Sequence, residues 1–218
     1  MKFEAVIFDF DGLMIESERV ALRIWKSVVA ELGGEMDDEA NRLLIGKAPT
    51  AGVTIVRDLF DLPIETEELR QIYWTRRTEQ MCKEAEPVDG LEEFIHFLMG
   101  KNIRLGVASN SPTAYVEQVL AAIRLRDQMG CVIGSDQVNT GKPAPDVYLA
   151  AALALGIKYG VCLAIEDSPI GVNAAVRAGM TCYAIPNLDL GGEDFSQAHR
   201  IFESIPSLHI ALSDVQED

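Results

Sequence analysis

Short apolar runs alternating with helical patterns predict an α/β fold, with a mostly parallel sheet covered by helices on both faces. The runs are 3–9, 103–109, 131–135, 161–167 and 181–186. A long stretch with no strand pattern, 16–86, follows the first run directly and predicts an all-helical insertion. A length of 218 residues suits one core domain with one sizeable insertion. The expected division is therefore a core of 1–15 and 87–218, and a helical domain of 16–86.

The first run, FEAVIFD, is broken by Asp9, Asp11 and Gly12, the pattern of a buried strand ending in a polar turn. In the insertion, Val20, Ile24, Trp25, Val28 and Leu32 recur at helical spacing, and helical patterns also fit 53–60 and 66–83. Pro87 and Gly90 return the chain to the core. Asp89 is the expected cap of a helix whose stripe is Leu91, Phe94, Ile95 and Leu98, with Gly100 as its stop. After the second run, Ser111-Pro112 reads as an N-cap with proline in the first turn, where its missing N–H costs nothing. Pro145 starts a further helix toward Gly156, and Ser168-Pro169 repeats the capping pattern before a helix ending near Gly179.

With 48% hydrophobic and 24% charged residues the chain has enough apolar surface to fold. Nineteen Lys and Arg against 34 Asp and Glu give a net charge of −15. That balance disfavours nucleic acid and anionic membranes, which proteins bind through cations. A small phosphate stays open to an acidic protein that gathers its few cations, helix N-termini and a metal ion at one place. Residues 15–85 hold 10 of the 19 basic residues, which reads first as paired surface charge and second as a substrate-facing group. Lys47, Arg70, Arg76 and Arg77 are the candidates there, with surface exposure expected for them.

Cys82, Cys131, Cys162 and Cys182 are too scattered for zinc or a disulfide framework and read as reduced, mostly buried thiols. The N-terminus lacks a basic segment followed by an apolar one, and no run approaches the ~20 apolar residues of a membrane span. The expected location is cytoplasmic. No internal repeat is present.

In open parallel sheets ligands bind beyond the carboxyl ends of the strands, and those ends are unusually polar here. The first carries Asp9-Phe10-Asp11-Gly12, the second Ser109-Asn110-Ser111 and the fourth Glu166-Asp167-Ser168, while Gly141-Lys142-Pro143 precedes a helix after the third. Attack of a carboxylate on a phosphate sets anion against anion, so it needs a divalent cation and fixed positive groups. Asp9 and Asp167, with Glu166 nearby, are hard oxygen ligands suited to Mg2+. Lys142 offers a point charge, and Ser109 and Asn110 offer hydrogen-bond donors. Asp9 and Asp11 are close enough for both to approach one phosphoryl group, one as an anionic nucleophile and the other as an acid and base. Each motif alone also fits a turn, a cap or an exposed surface residue. Their joint occurrence at successive strand ends favours the catalytic reading.

The segments DFDGLMIESE (9–18), ASNS (108–111), GKPAPD (141–146) and EDSPIG (166–171), in this order, resemble the haloacid dehalogenase-like superfamily, in its phosphatase and beta-phosphoglucomutase-like branch. The resemblance spans nearly the whole chain and implies a Rossmann-like, three-layer core with a mobile helical cap at 16–86. It implies that Asp9 is the nucleophile and Asp11 the acid/base. It also implies that Mg2+ is held by the Asp9 side chain, the Asp11 backbone carbonyl and Asp167, with Glu166 in direct or outer support. Ser109 and Lys142 would hold the phosphoryl oxygens, with Asn110 close by, and Gly46-Lys47 resembles the family's specificity loop. Closure of such a cap would exclude water from the site.

Two departures stand out. Family members commonly have Asp where this chain has Glu16. Sugar-phosphate mutases of the branch carry a cap His where this chain has Ala21, and its absence favours hydrolysis over mutase chemistry. The expected activity is thus a phosphatase acting on a small phosphorylated metabolite, such as a sugar phosphate, as a monomer. A beta-phosphoglucomutase-like mutase is the alternative, and a non-enzymatic phospho-aspartate signalling module is more remote. Phosphonate cleavage would require a cap lysine that forms an imine and has no need of Asp11. Dehalogenation would need neither Asp11 nor the Glu166-Asp167 pair.

Overall fold

The computed structural model describes residues 3–37, 49–186 and 194–214, with 49–51 described by backbone alone. Gly46 and Lys47 lie outside the described residues. The chain divides into two compact units, Met1–Glu16 with Glu86–Asp218, and Ser17–Ala85.

In the first unit, strands β1 (Ala5–Phe8), β2 (Arg104–Ala108), β3 (Cys131–Ile133), β4 (Cys162–Glu166), β5 (Thr181–Ala184) and β6 (Arg200–Ile201) form one sheet in the order β3-β2-β1-β4-β5-β6. Every pairing is parallel. β1 is central, with Phe8 opposite Val107 of β2 and Ile165 of β4. The strand order reverses at β1, and such a switch point opens a crevice at the carboxyl ends. The five expected runs form the first five strands. The sixth lies outside that pattern, because its two exposed residues carry no apolar periodicity.

Parallel strands must be covered on both faces, and all four residues of β1 are buried. On one side, Ala5, Ile7, Cys162 and Ala164 pack with Val147, Tyr148 and Ala151 of helix α6 (Asp146–Leu155) and Val172 and Ala175 of α7 (Pro169–Arg177). On the other, Phe8 meets Phe94 of α4 (Leu91–Gly100) edge-on at 6.2 Å. Phe94 and Phe97 then pack against His209 of α8 (Ile205–Ser213). The result is the three-layer, Rossmann-like arrangement.

The helix punctuation holds in part. Ser168 caps α7 by accepting from Gly171 N at 3.3 Å, and Pro145 and Gly156 flank α6. Asp89 does not cap α4: the cap position is Gly90, whose φ of 74° suits a residue without Cβ. Ser111 does not cap α5 (Thr113–Ala122) either. Its hydroxyl is directed elsewhere, and Asp136 accepts from Thr113 N instead at 2.6 Å.

The second unit contains α1 (Glu18–Glu31), α2 (Pro49–Leu59) and α3 (Thr66–Glu84). Its core includes Trp25 stacked on Tyr73 at 3.9 Å, together with Val28, Val29, Leu69 and Met81. Four arginines are paired near the surface: Arg23 with Glu84, Arg57 with Asp58, Arg70 with Glu67 and Arg76 with Glu31. Arg77 departs from the expected exposure. It is buried, donates to Tyr73 Oη at 2.9 Å and Ser17 Oγ at 3.0 Å, and lies over the Trp74 ring. Its stem and planar head use the aromatic surface that α3 offers at helical spacing.

Candidate active site

The carboxyl end of β1 positions the first carboxylate. Asp9 N donates to Ile165 O at 2.9 Å, continuing the ladder toward β4 for one more residue. The chain then turns tightly: Met14 N bonds to Phe10 O and Gly12 N to Ile15 O, both at 2.9 Å. Gly12 has a φ of 91°, and a Cβ there would overlap the Asp167 carboxylate. Glycine is thus required twice, by conformation and by close approach. Val88 N bonds to Met14 O at 3.0 Å and fastens this turn to the start of the returning chain.

Lys142 reaches the same point from the segment before α6. Its ammonium donates to Asp9 Oδ1, and to Glu166 Oε1 at 2.6 Å. It lies 4.9 Å from the centroid of the Tyr148 ring. Glu166, the last residue of β4, also accepts from Tyr148 Oη at 2.6 Å. Its other oxygen accepts from Asp167 N at 3.2 Å, Ser168 N at 3.4 Å and Ser168 Oγ at 3.2 Å. Glu166 is thereby fixed in one orientation, and it fixes Lys142 in turn.

Burial dominates the electrostatics. It pushes the Asp9 carboxyl up to about 8; Lys142 opposes the rise while Glu166 and Asp11 add to it. Burial likewise raises Asp167 well above the carboxylate range, with Asp9 and Glu166 adding to the effect. For Lys142, burial works against the charge, but the Asp9 and Glu166 carboxylates outweigh it and hold the ammonium protonated.

One oxygen each from Asp9, Glu166 and Asp167 can lie within 4.8 Å of one another, a spacing that fits one ion. Fully ionised, three carboxylates against one ammonium leave the cluster two negative charges in excess, the charge a divalent cation would balance. All three donors are hard oxygens, the set preferred by Mg2+. On charge and on donor chemistry the residues present fit that metal.

Ser109, buried at the end of β2, accepts from Ser111 N at 3.0 Å and keeps its own hydroxyl proton for another acceptor. Asn110 lies in the same turn, with both ends of its amide engaged by the Lys142 backbone: Lys142 N donates to Oδ1 at 2.7 Å, and Nδ2 donates to Lys142 O at 3.2 Å. Asp11 points its carboxylate toward the turn after β2 and the start of α5, where Ser111 Oγ of the turn donates to Oδ2 at 2.6 Å and Tyr115 Oη of the helix to Oδ1 at 2.9 Å. The fold thus brings Asp9, Lys142, Glu166 and Asp167 into one cluster, and sets Asp11 and Ser109 at the neighbouring strand ends.

Tyr148 and Tyr115 join the site without any sequence motif that marks them. Both sit in the first turn of a helix that follows a recognised motif, so the helix starts at Pro145 and Pro112 are the signals that could have located them. An aromatic residue at such a position reads as core, and both rings are indeed buried.

Residues 6–185 match the family described as haloacid dehalogenase-like hydrolase. Hexitol phosphatase B from Escherichia coli is 30% identical over 84% of this chain and 83% of its own length. The bifunctional riboflavin kinase/FMN phosphatase of Arabidopsis thaliana is 28% identical over 94% of this chain, which spans only 54% of that larger protein. Among solved structures, CbbY from Rhodobacter sphaeroides in complex with phosphate superposes with a TM-score of 0.84, at 27% identity, covering 93% of this chain and 94% of the other. With a family match across most of its length and a relative at 30% identity, this chain belongs to the haloacid dehalogenase-like hydrolases.

Proposed function

We propose that the protein is a Mg2+-dependent phosphatase of small phosphorylated metabolites, sugar phosphates foremost, working through an aspartyl-phosphate, a mixed anhydride, on Asp9. The observation that carries this reading is the buried contact of Lys142 with both Asp9 and Glu166, beside Asp167, where the strand order reverses. A permanent cation beside a buried carboxylate lowers the cost of ionising it and serves incoming phosphoryl oxygens. The hexitol phosphatase relative supports the substrate class, and the net charge of −15 agrees with a small anion met at one local site rather than a large polyanion.

In this reading Asp9, Asp167 and the backbone carbonyl of Asp11 hold Mg2+, with Glu166 beside them. The ion supplies charge neutralisation that lets an anionic nucleophile approach an anionic phosphate. A carboxylate oxygen of Asp9 attacks phosphorus, and the bond to the leaving oxygen breaks. Asp11 gives that oxygen a proton, so the product departs as an alcohol. Asp11, now a carboxylate, takes a proton from water as the water attacks the Asp9-bound phosphorus. The bond between phosphorus and Asp9 breaks, releasing inorganic phosphate and restoring both carboxyl groups. Lys142 and Ser109 hold the phosphoryl oxygens, and Asn110 acts through the Lys142 backbone.

Purified protein should release phosphate from a member of a phosphometabolite panel with Mg2+, stop with a chelator, and lose activity as Asp9→Asn. Equal turnover by that variant rejects the nucleophile. Isomerised sugar phosphate, stimulated by a bisphosphate, would instead support the mutase reading. Ala21, on α1, carries no imidazole for that chemistry.

A further inference from the structure

Asp11 must present one carboxyl oxygen to two successive partners, the leaving oxygen and then water, and a side chain that rotates freely would lose that aim. Its carboxylate is held at both ends. Ser111 Oγ donates to Oδ2 at 2.6 Å and Tyr115 Oη donates to Oδ1 at 2.9 Å. The two donors come from one continuous stretch, the turn after β2 and the first helical turn of α5. Ser111 is itself anchored, since its N–H bonds to Ser109 Oγ at 3.0 Å and its carbonyl accepts from Ser135 N at 3.0 Å. Tyr115 is anchored by its ring, which is buried and meets Phe10 edge-on at 5.9 Å. Phe10 lies between the two aspartates in sequence, so the contact that seats Tyr115 also seats the backbone carrying Asp11.

We infer that Tyr115, together with Ser111, is a positioning residue for Asp11, fixing the orientation in which it serves the leaving oxygen. This deepens the phosphatase reading above and rests on it. The hydroxyls touch neither phosphate nor metal in this reading; they remove rotational freedom from the group that does the proton transfer. A hydroxyl can also donate, accept or rotate, so the clamp persists as Asp11 changes protonation state.

The test compares two aryl esters whose leaving groups differ in basicity, phenyl phosphate and 4-nitrophenyl phosphate, each variant being read against wild type on the same ester. Phenolate is a poor leaving group that benefits from a proton, while 4-nitrophenolate leaves without one. General acid catalysis contributes factors of about 10²–10⁴, so imperfect aim should cost about tenfold in kcat/KM where the proton matters. Tyr115→Phe keeps the ring on Phe10 and removes only the hydroxyl. The expected result is about a tenfold loss in kcat/KM for phenyl phosphate, less than about twofold for 4-nitrophenyl phosphate, and an unchanged unfolding midpoint. Ser111→Ala should repeat the selective loss, and Ser111→Thr, which restores a hydroxyl, should recover most of it. Equal loss on both esters, or no loss on either, in variants of active wild-type protein overturns the positioning role alone. Wild-type protein that releases no phosphate from either ester or from the metabolite panel overturns the phosphatase reading, and this inference with it.

Discussion

The ammonium of Lys142 lies 2.6 Å from Glu166 Oε1, with 2% of the lysine side chain and none of the glutamate side chain exposed. A pair so buried is held by compensation more than by net attraction, since each ion has lost its water. Removing one partner therefore leaves a bare charge behind. Lys142→Met should lower the stability of metal-free protein by about 3–5 kcal/mol, read as a shift in the urea midpoint, and abolish phosphate release. A stability change below about 1 kcal/mol would mean that the carboxylates do not depend on this cation.

A second consequence concerns pH. Asp9 rises from its ordinary 3.8 to about 8 on folding, chiefly through burial. The folded state thus binds the Asp9 proton more tightly than the unfolded state. The contribution is complete below about 4 and is lost as pH rises through about 8. Metal-free protein should accordingly become less stable from pH 5 to pH 8 in urea titrations with a chelator. Asp9→Asn, which has no carboxyl to titrate, should reduce that slope, leaving the part that the raised Asp167 carries; an unchanged slope would assign the pH dependence elsewhere.

The same titration bears on metal binding. A divalent ion competes with the protons on Asp9 and Asp167, so Mg2+ affinity should increase with pH up to about 8 and binding should release protons. Calorimetry in two buffers of different ionisation enthalpy measures that release directly. Proton-neutral, pH-independent binding would contradict the proposed ligand set.

The carboxylates at the strand ends were legible because chemistry and local structure coincide there: a buried run that stops on Asp9, or on Glu166-Asp167, places charge where a turn alone does not require it. Lys142 was legible only through its neighbours in order, since a lone lysine after glycine reads as surface. The motif order suggests Asn110 as a phosphate contact, yet its amide bridges to the Lys142 backbone, a pairing between segments 32 positions apart that no local pattern encodes. Tyr115 and Tyr148 were hidden for the opposite reason, because their rings satisfy the apolar periodicity of α5 and α6 while their hydroxyls reach polar partners. Arg77 defies the exposure its charge suggests because its aromatic shelter comes partly from Tyr73 and Trp74 on its own helix.

The cysteines give an independent check on burial. Cys131 and Cys162 are buried free thiols, each pushed up to about 11, mainly by loss of water. Only about a thousandth of each is thiolate at pH 8, and the thiolate is the reactive form. Cys82 is the more accessible of the four. Iodoacetamide at pH 8 should label Cys82 first on native protein and all four in denaturant, as counted by peptide mass spectrometry. Rapid native labelling of Cys131 or Cys162 would contradict the packing around β3 and β4.

The central claim is that Asp9 receives the phosphoryl group. It is tested most directly by mixing wild-type protein and Mg2+ with a 32P-labelled substrate found in the panel, quenching with acid within the first turnover, and locating the label by peptide mapping. The expected result is hydroxylamine-sensitive label on the peptide containing Asp9, absent from Asp9→Asn. Label on another residue would contradict the claim, as would Asp9→Asn protein that still turns substrate over.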